Sequence, residues 1–525
     1  MAQMLGALLF QDSLSTMTRM SYYSLLLPIL CPLILLLLFR CYATRSGGML
    51  DKLPSPPGRL PVIGHMHLIS SFPHMSLRDL ATKHGPDLML LHLGTVPTLV
   101  VSSSRMAQVI LRTNDRVFAS WPQSAITDIL FYGATDVAFS PYGDYWRQIK
   151  KIVTTNLLTI KKVHSYSQTR QQEVRLVMAK IVEKAATHMV VDLTELLSCY
   201  TNNMVCHAVS GKLFREEGWN QLFKELIEIN SSLLGGFNLE DYFPSLARLP
   251  VVRRLLCAKA YHVKKRWDQL LDKLIDDHAS KHRSSLLNNN DEESDFIDVL
   301  LSIQKEYGLT KDNIKANLVV MFEAGTDTSF IELEYAMAEL MQKPQMMAKL
   351  QAEVRGVVPK GQEIVTEEHL GRMPYLKAVI KETLRLHPAG PLLLPHVSVV
   401  DCNVEGYTIP SGTRVIVNAW AIARDPSYWE NAEFMPERFL SNTMAEYNGN
   451  NFNFLPFGTG RRICPGINFA ITAIEIMLAN LVYRFDWKLP TDQAANGGID
   501  MTETFGVTIH LKEKLFLVPH LPQDN

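Results

Sequence analysis

Apolar residues recur at three- and four-residue spacing, with charges between them, over 167–186, 219–235, 258–278, 310–343, 374–386 and 467–484, and this period predicts helices. Shorter β-branched runs predict strands: "LMLLHLG" with "TLVVSS" near 88–103, "YTIPSGTRVIVN" at 407–418 and "LFLVP" at 515–519. The body is therefore expected to be mainly α with small β-sheets and no internal repeat. The patch "SSLLNNNDEESD" at 284–295 is expected as an exposed loop between helices.

The pattern changes at the N-terminus. Residues 21–39, "SYYSLLLPILCPLILLLLF", carry no charge and approach the roughly 20 residues that cross a bilayer as a helix, with Pro28 and Pro32 expected to kink it. A cleaved signal peptide is the alternative, since small residues follow at Ala43 and Ser46. Arg40, Arg45 and Lys52 follow the span while Arg19 precedes it closely, which places the C-terminal bulk in the cytosol. Prolines 54, 56, 57 and 61 then make 53–64 a stiff, extended hinge.

Composition narrows the class. The chain has 525 residues, 47% hydrophobic, enough to bury a large core. A formal charge of -1, without basic runs interleaved with aromatics, argues against a nucleic-acid partner. The 7 cysteines are scattered, with no CxxC pair, so neither a disulfide framework nor a metal finger is expected. Free thiols fit a body on the reducing side of a membrane.

Three stretches carry candidate chemistry. The long helix begins at Thr310 as N-cap, holds Asp312 in its first turn and must stop near Pro344. Its apolar interior is interrupted by "AGTDTS" at 324–329. Ser and Thr in a helix usually bond back to the carbonyl four residues earlier. A glycine followed by Thr, Asp and Thr is expected to loosen the helix and open a polar notch, where Asp327 and Thr328 could pass protons. In "KETLRLHP", Glu382 and Arg385 stand three apart on an otherwise apolar helix (Leu376, Val379, Ile380, Leu384), and "MPERF" offers Arg438 as a second partner. Exposed, such a pair contributes little; a Glu buried between two Arg would fix a loop strictly.

The third stretch is "FLPFGTGRRICPG", 454–466. Its glycines and prolines suit a bent loop, and the helical pattern after it puts Cys464 just before or at a helix N-terminus, with Pro465 in the first turn. The helix dipole there is expected to lower the thiol pKa toward thiolate. Such a sulfur is a nucleophile or a metal ligand. A nucleophile wants a histidine base, and none lies within the motif; as ligand to a haem iron it would favour O–O cleavage, with Arg462 answering a propionate. A dinucleotide fingerprint fails, because Ile463 follows Gly458-x-Gly460 where a third Gly or Ala belongs.

Together these residues make the chain resemble the cytochrome P-450 family of haem-thiolate monooxygenases, from the N-terminal anchor to the last strands. The family's F-x-x-G-x-R-x-C-x-G is met by Phe457, Gly460, Arg462, Cys464 and Gly466. Its E-x-x-R is met by Glu382 and Arg385, with Arg438 completing a structural triad, and its oxygen-activating motif by Ala324, Gly325, Asp327, Thr328 and Ser329. A W-x-x-x-R element appears as Trp146 with Lys150 in place of Arg; a Lys pairs with a propionate as a point charge without the fork. His396 matches a position that often contacts the other propionate.

The resemblance implies a cytochrome P-450 fold with one N-terminal membrane helix, divided as anchor 1–40, basic and proline-rich hinge 41–64 and catalytic domain 65–525. It implies haem b with Cys464 as axial ligand, O2 as co-substrate and Asp327 with Thr328 as proton relay. With no flavin or nicotinamide fingerprint, electrons are expected from NADPH-cytochrome P-450 reductase at the endoplasmic reticulum membrane, docking on a basic face for which Lys150, Lys151, Arg461 and Arg462 are candidates. The substrate pocket is expected from 120–146, Phe322, Leu392 to Leu394 and 504–510, an apolar lining with a few hydroxyls that suits a small heteroaromatic molecule. The hinge and the 128–158 stretch resemble plant microsomal members, and most the grass enzymes that hydroxylate indolin-2-one and benzoxazinone intermediates of benzoxazinoid synthesis. Alternatives are a monooxygenase of another plant secondary metabolite, a haem-thiolate isomerase or dehydratase, which would have no use for Asp327 and Thr328, and a non-catalytic haem binder.

Overall fold

In the computed structural model, residues 49–211, 219–236, 238–285, 294–440, 446–491 and 497–522 are described. The apolar span 21–39 and the middle of the expected 284–295 loop lie outside them. Strands β1 (Leu88–Leu93) and β2 (Val96–Val101) pair antiparallel. They turn at Gly94, whose φ of +59° and close approach to the Tyr242 carbonyl both exclude a side chain. The proline-rich 53–64 stretch is tied to this hairpin rather than free: Leu90 N–H donates to Pro54 O at 2.8 Å, and Gly64 bridges to Leu93.

Helices follow as α1 (Asp144–Ile152), α2 (Ser167–Ala186), α3 (Leu193–Ser210), α4 (Trp219–Gly235) and α5 (Ala258–Ser285). The long α6 (Lys311–Gln342) starts on a reciprocal cap. Thr310 Oγ1 accepts from Asn313 N–H at 3.1 Å while Asn313 Oδ1 accepts from Thr310 N–H at 2.9 Å. It ends ahead of Pro344. A helix that is apolar all round must be buried all round, and α6 runs through the middle of the core with α3, α4, α7 (Pro374–Leu386) and α8 (Ile467–Arg484) packed on it. Gly325 is what lets α3 approach so closely, since a Cβ there would lie 2.8 Å from Val205 Cγ2.

Between α7 and α8 the chain contributes β3 (His396–Val397) and β4 (Arg414–Val417) to the first sheet, in the order β1-β2-β4-β3, with β2 and β4 parallel. After α8, β5 (Glu503–Phe505) and β6 (Ile509–Leu511) form a hairpin that reaches back to α6. The mainly α body with small sheets is as expected, and the expected helices start within about a residue of their observed positions. Two local expectations are corrected. Helix α6 stays α-helical through 324–329, so any notch is made by side chains and not by an unwound backbone. Gly466 is the N-cap of α8, which puts Pro465 before the cap and not in the first turn. Among the described residues α8 is also the one helix long and apolar enough to cross a membrane, and it lies mostly buried in the core.

Candidate functional site

A cavity of about 350 Å³ lies between the middle of α6 and the loop that precedes α8. The loop bends at Gly458 and Gly460, with φ of +67° and +68°. Gly460 is required twice over, since a Cβ would sit 2.5 Å from Leu111 O. A short 3-10 turn, Gly460–Arg462, then brings Cys464 N–H onto Phe457 O at 3.0 Å and closes the loop, leaving Sγ on the cavity wall. The Gly466 amide donates to Sγ at 3.4 Å. Phe457 lies edge-on to Tyr447 and faces the same cavity. Burial pushes the Cys464 thiol up, against the Gly466 amide and the Lys150 ammonium, which pull it down. The expectation of a thiol lowered by the helix terminus is thus corrected: desolvation outweighs the two favourable interactions.

Opposite the sulfur, α6 presents Ala324, Gly325, Asp327 and Thr328. Thr328 Oγ1 donates to Ala324 O at 2.7 Å, the back-bond usual for a helical Thr, so its proton is committed and its lone pairs remain available. Asp327 Oδ2 accepts from Thr508 Oγ1 at 2.5 Å, on the turn before β6. Burial raises the Asp327 carboxyl, only partly offset by Thr508 and His510.

A cationic rim adjoins the sulfur. Arg462 donates to Ala119 O at 2.5 Å and Ser140 O at 2.6 Å and stacks over Trp146, 4.2 Å from its centroid. Burial lowers its guanidinium to about 10. Lys150 Nζ donates to Ile463 O at 2.8 Å, and burial lowers it too. Trp146 anchors α1 through Nε1 to Val137 O at 3.0 Å. His396 Nδ1 pairs with Phe118 O at 2.6 Å, its ring 4.5 Å from Trp121, and burial drops it to about 4. Two half-buried cations hold carbonyls but no carboxylate ion pair among the described residues. That is the donor set a dianionic, planar ligand would satisfy.

Behind the loop, Glu382 is fully buried, bidentate to Arg385 at 2.7 Å and 2.7 Å, and accepts from Arg438 Nε at 3.0 Å and Met435 N–H at 2.8 Å. Arg385 also donates to Ala423 O at 2.8 Å. The triad thus ties α7 to the segment leading into the cysteine loop.

The sequence of the described fold decides the family. The cytochrome P-450 profile matches residues 54–514. The chain belongs to the cytochrome P-450 family. Among relatives of this cytochrome P-450 is the indole-2-monooxygenase of Zea mays, 57% identical and covering 91% of this chain and 89% of that one. The 3-hydroxyindolin-2-one monooxygenase of Zea mays is 52% identical (90% and 89%), and its indolin-2-one monooxygenase 52% identical (89% and 89%). A solved zebra fish cytochrome P-450 with abiraterone superposes with a TM-score of 0.72 at 26% identity, covering 87% of this chain and 100% of that one. The protein is accordingly a monooxygenase that takes O2, a small organic substrate and electrons from a redox partner, and its cofactor is cysteine-ligated haem iron.

Several expected positions move. Phe322 does not line the cavity; it is fully buried against Phe223 and Trp267 on the far face of α6. Lys150 and Arg462 turn inward and leave the proximal face, and Arg461 pairs with Asp115 at 2.9 Å, so of that expected basic set Lys151 alone is exposed and without an ion pair among the described residues. Glu323, absent from the expected site, lines the cavity one turn before Asp327. Its signal was present: a carboxylate four residues before another, on the same face of an apolar helix.

Proposed function

We propose that this monooxygenase inserts one oxygen atom into a small indole-class heteroaromatic, an indole, indolin-2-one or benzoxazinone intermediate of benzoxazinoid synthesis. The observation that carries the reading is Cys464 Sγ facing Asp327 and Thr328 across one mostly apolar cavity. The names of the maize relatives support the substrate class. Cys464 would supply the sulfur ligand to the haem iron, Lys150, Arg462 and His396 would answer its carboxylates, and Trp146, Phe457 and Gly466 would shape the seat. Bound haem supplies the activation of O2 and the oxygen-atom transfer. The chain's own part is to hold the sulfur, exclude water with apolar walls and deliver protons. Burial favours the neutral form of the Asp327 carboxyl, which suits it to take up and pass on a proton there, and Thr328 Oγ1, its own hydrogen on Ala324 O, accepts and orients a hydrogen-bond donor in the cavity. The triad Glu382, Arg385 and Arg438 fixes the scaffold.

Electrons come from NADPH-cytochrome P-450 reductase at the endoplasmic reticulum membrane. There residues 1–40 anchor the chain in a single pass, 41–64 form the hinge and 65–525 the cytosolic catalytic domain. Reconstitution with that reductase and NADPH tests the whole reading. Oxygenated product from indole, indolin-2-one or a benzoxazinone is expected, and O2-dependent product from none of them, with product from other plant metabolites, would overturn the substrate class.

A further inference from the structure

Glu323 has no part in the thiolate seat or the proton relay, yet it is 8% exposed on the cavity wall. Among the described residues its hydrogen-bond partner is Asn230 on α4, whose Nδ2 donates to Oε2 at 3.4 Å, the outer limit of such a bond. Asn230 is itself fully buried, and its Oδ1 has no partner. Two buried polar side chains sharing one long bond are costly unless something in the cavity completes them. A purely structural pair would close on itself; this one leaves capacity unspent beside the cavity.

Burial raises the Glu323 carboxyl to about 8; the carboxyls of Asp327 on the same helix and Asp136 on the loop before α1 push it the same way whenever they are ionised, and the Asn230 amide resists. It is therefore a neutral carboxylic acid near neutral pH. One planar group then offers an O–H donor and a C=O acceptor side by side. The complement of that pattern is a cis secondary amide, whose N–H and C=O point the same way in a small ring. Apolar neighbours, Val320, Met321 and Leu234, keep water from competing. Glu323 lies one helical turn, about 6 Å, from Asp327 along α6 and lines the same cavity, a separation that a bicyclic molecule held by its amide edge can span.

We propose that the Glu323 carboxyl is the specificity-determining group of the cavity, pairing in a two-hydrogen-bond ring with the N–H and C=O of a lactam substrate. The pairing rests on the indole-class reading above and narrows it to cyclic secondary amides. Glutamine carries the same donor and acceptor edge without titrating, and leucine carries neither.

The test is a ligand-induced spectral titration of the full-chain holoenzyme with indolin-2-one, N-methylindolin-2-one and indole. The N-methyl derivative lacks the N–H donor, and its methyl group on the same edge holds the C=O off the carboxyl, so both neutral hydrogen bonds are lost and the unsubstituted enzyme should bind indolin-2-one roughly ten- to a hundredfold more tightly. Glu323→Leu should lose about that factor for indolin-2-one and less than about threefold for the N-methyl compound. Glu323→Gln should stay within about threefold of the unsubstituted enzyme for both. Equal losses for the two ligands in the leucine variant, a glutamine variant as weak as leucine, or no preference for the N–H form in the unsubstituted enzyme would each overturn the proposal alone. The last comparison needs no variant to fold. A holoenzyme that responds to none of the three ligands would overturn the indole-class reading and the proposal with it.

Discussion

Replacing Arg385 by Met should destabilise the protein more than replacing Arg438 by Met. Its guanidinium is 0% exposed and sits against a Glu382 carboxylate also 0% exposed, so neither charge can be rescued by solvent. Removing one partner of a buried ion pair costs about 3–5 kcal/mol, because the other charge stays behind. The carbonyls of Ala423 and Glu433 also lose a donor, which adds roughly 1–2 kcal/mol. Arg438 is the contrast. It is 13% exposed, gives Glu382 one bond at 3.0 Å and leaves behind a carboxylate still held by Arg385 and Met435 N–H. Arg438→Met should therefore cost about 1–3 kcal/mol. Against a total of about 5–15 kcal/mol the first loss is severe and the second tolerable. Urea unfolding read by tryptophan fluorescence measures both, since Arg385 and Arg438 lie 5.0 Å and 5.6 Å from the Trp429 ring. The double variant should exceed the sum of the singles by about 1 kcal/mol or more, because each single variant leaves the buried carboxylate one arginine and the double leaves it none. An Arg385→Met loss below about 1 kcal/mol, or one no greater than that of Arg438→Met, would refute the reasoning.

Other changes probe separate parts. Thr328→Ala should leave substrate binding nearly intact but cut product per electron pair by on the order of tenfold or more, with peroxide released instead; unchanged coupling removes Thr328 from the proton path. Gly325→Ala drives a Cβ to 2.8 Å from Val205 Cγ2 and should cost about 1–3 kcal/mol in urea unfolding, most of it recovered when Val205→Ala is added; no recovery would mean that the glycine serves something other than the α3–α6 contact. Glu334 is buried beside Thr194, and burial raises its carboxyl to about 7 from 4.5. A carboxyl raised on folding contributes most when protonated in both states, so relative to Glu334→Gln the unsubstituted protein should lose stability as pH rises from about 4.5 to about 7, by at most about 1.4 kcal/mol per pH unit, and then level off. Parallel stability curves for the two proteins over that range would contradict the assignment.

How far the sequence reached can be judged residue by residue. Helix α6 was legible end to end because its signals are local: Thr310 and Asn313 cap each other, and Pro344 forbids continuation. Glu382 and Arg385 were readable as a pair for the same reason, three apart on one helix. That Arg438 closes on Glu382 follows from a 3-10 turn, Pro436–Phe439, that spacing alone does not position. The side-chain directions were the harder part. Phe322 and Glu323 are adjacent, yet a helix turns about 100° per residue, so Phe322 enters the aromatic core with Phe223 while Glu323 meets the cavity. Lys150 was expected both at a propionate and on the surface; its reach to Ile463 O, a residue far away in sequence, excludes the second. The sign of the Cys464 shift was missed because a helix terminus is visible in sequence and burial is not.

The central claim is that Cys464 Sγ carries the haem iron at the floor of the cavity it shares with Asp327 and Thr328. The spectrum of the reduced, carbon monoxide-bound holoenzyme tests it most directly. The unsubstituted protein should show the strongly red-shifted band of thiolate ligation, and Cys464→Ala should abolish it while the triad variants merely lower its yield. A band at the ordinary haem-protein position in the unsubstituted protein, or a red-shifted band that survives Cys464→Ala, would contradict it.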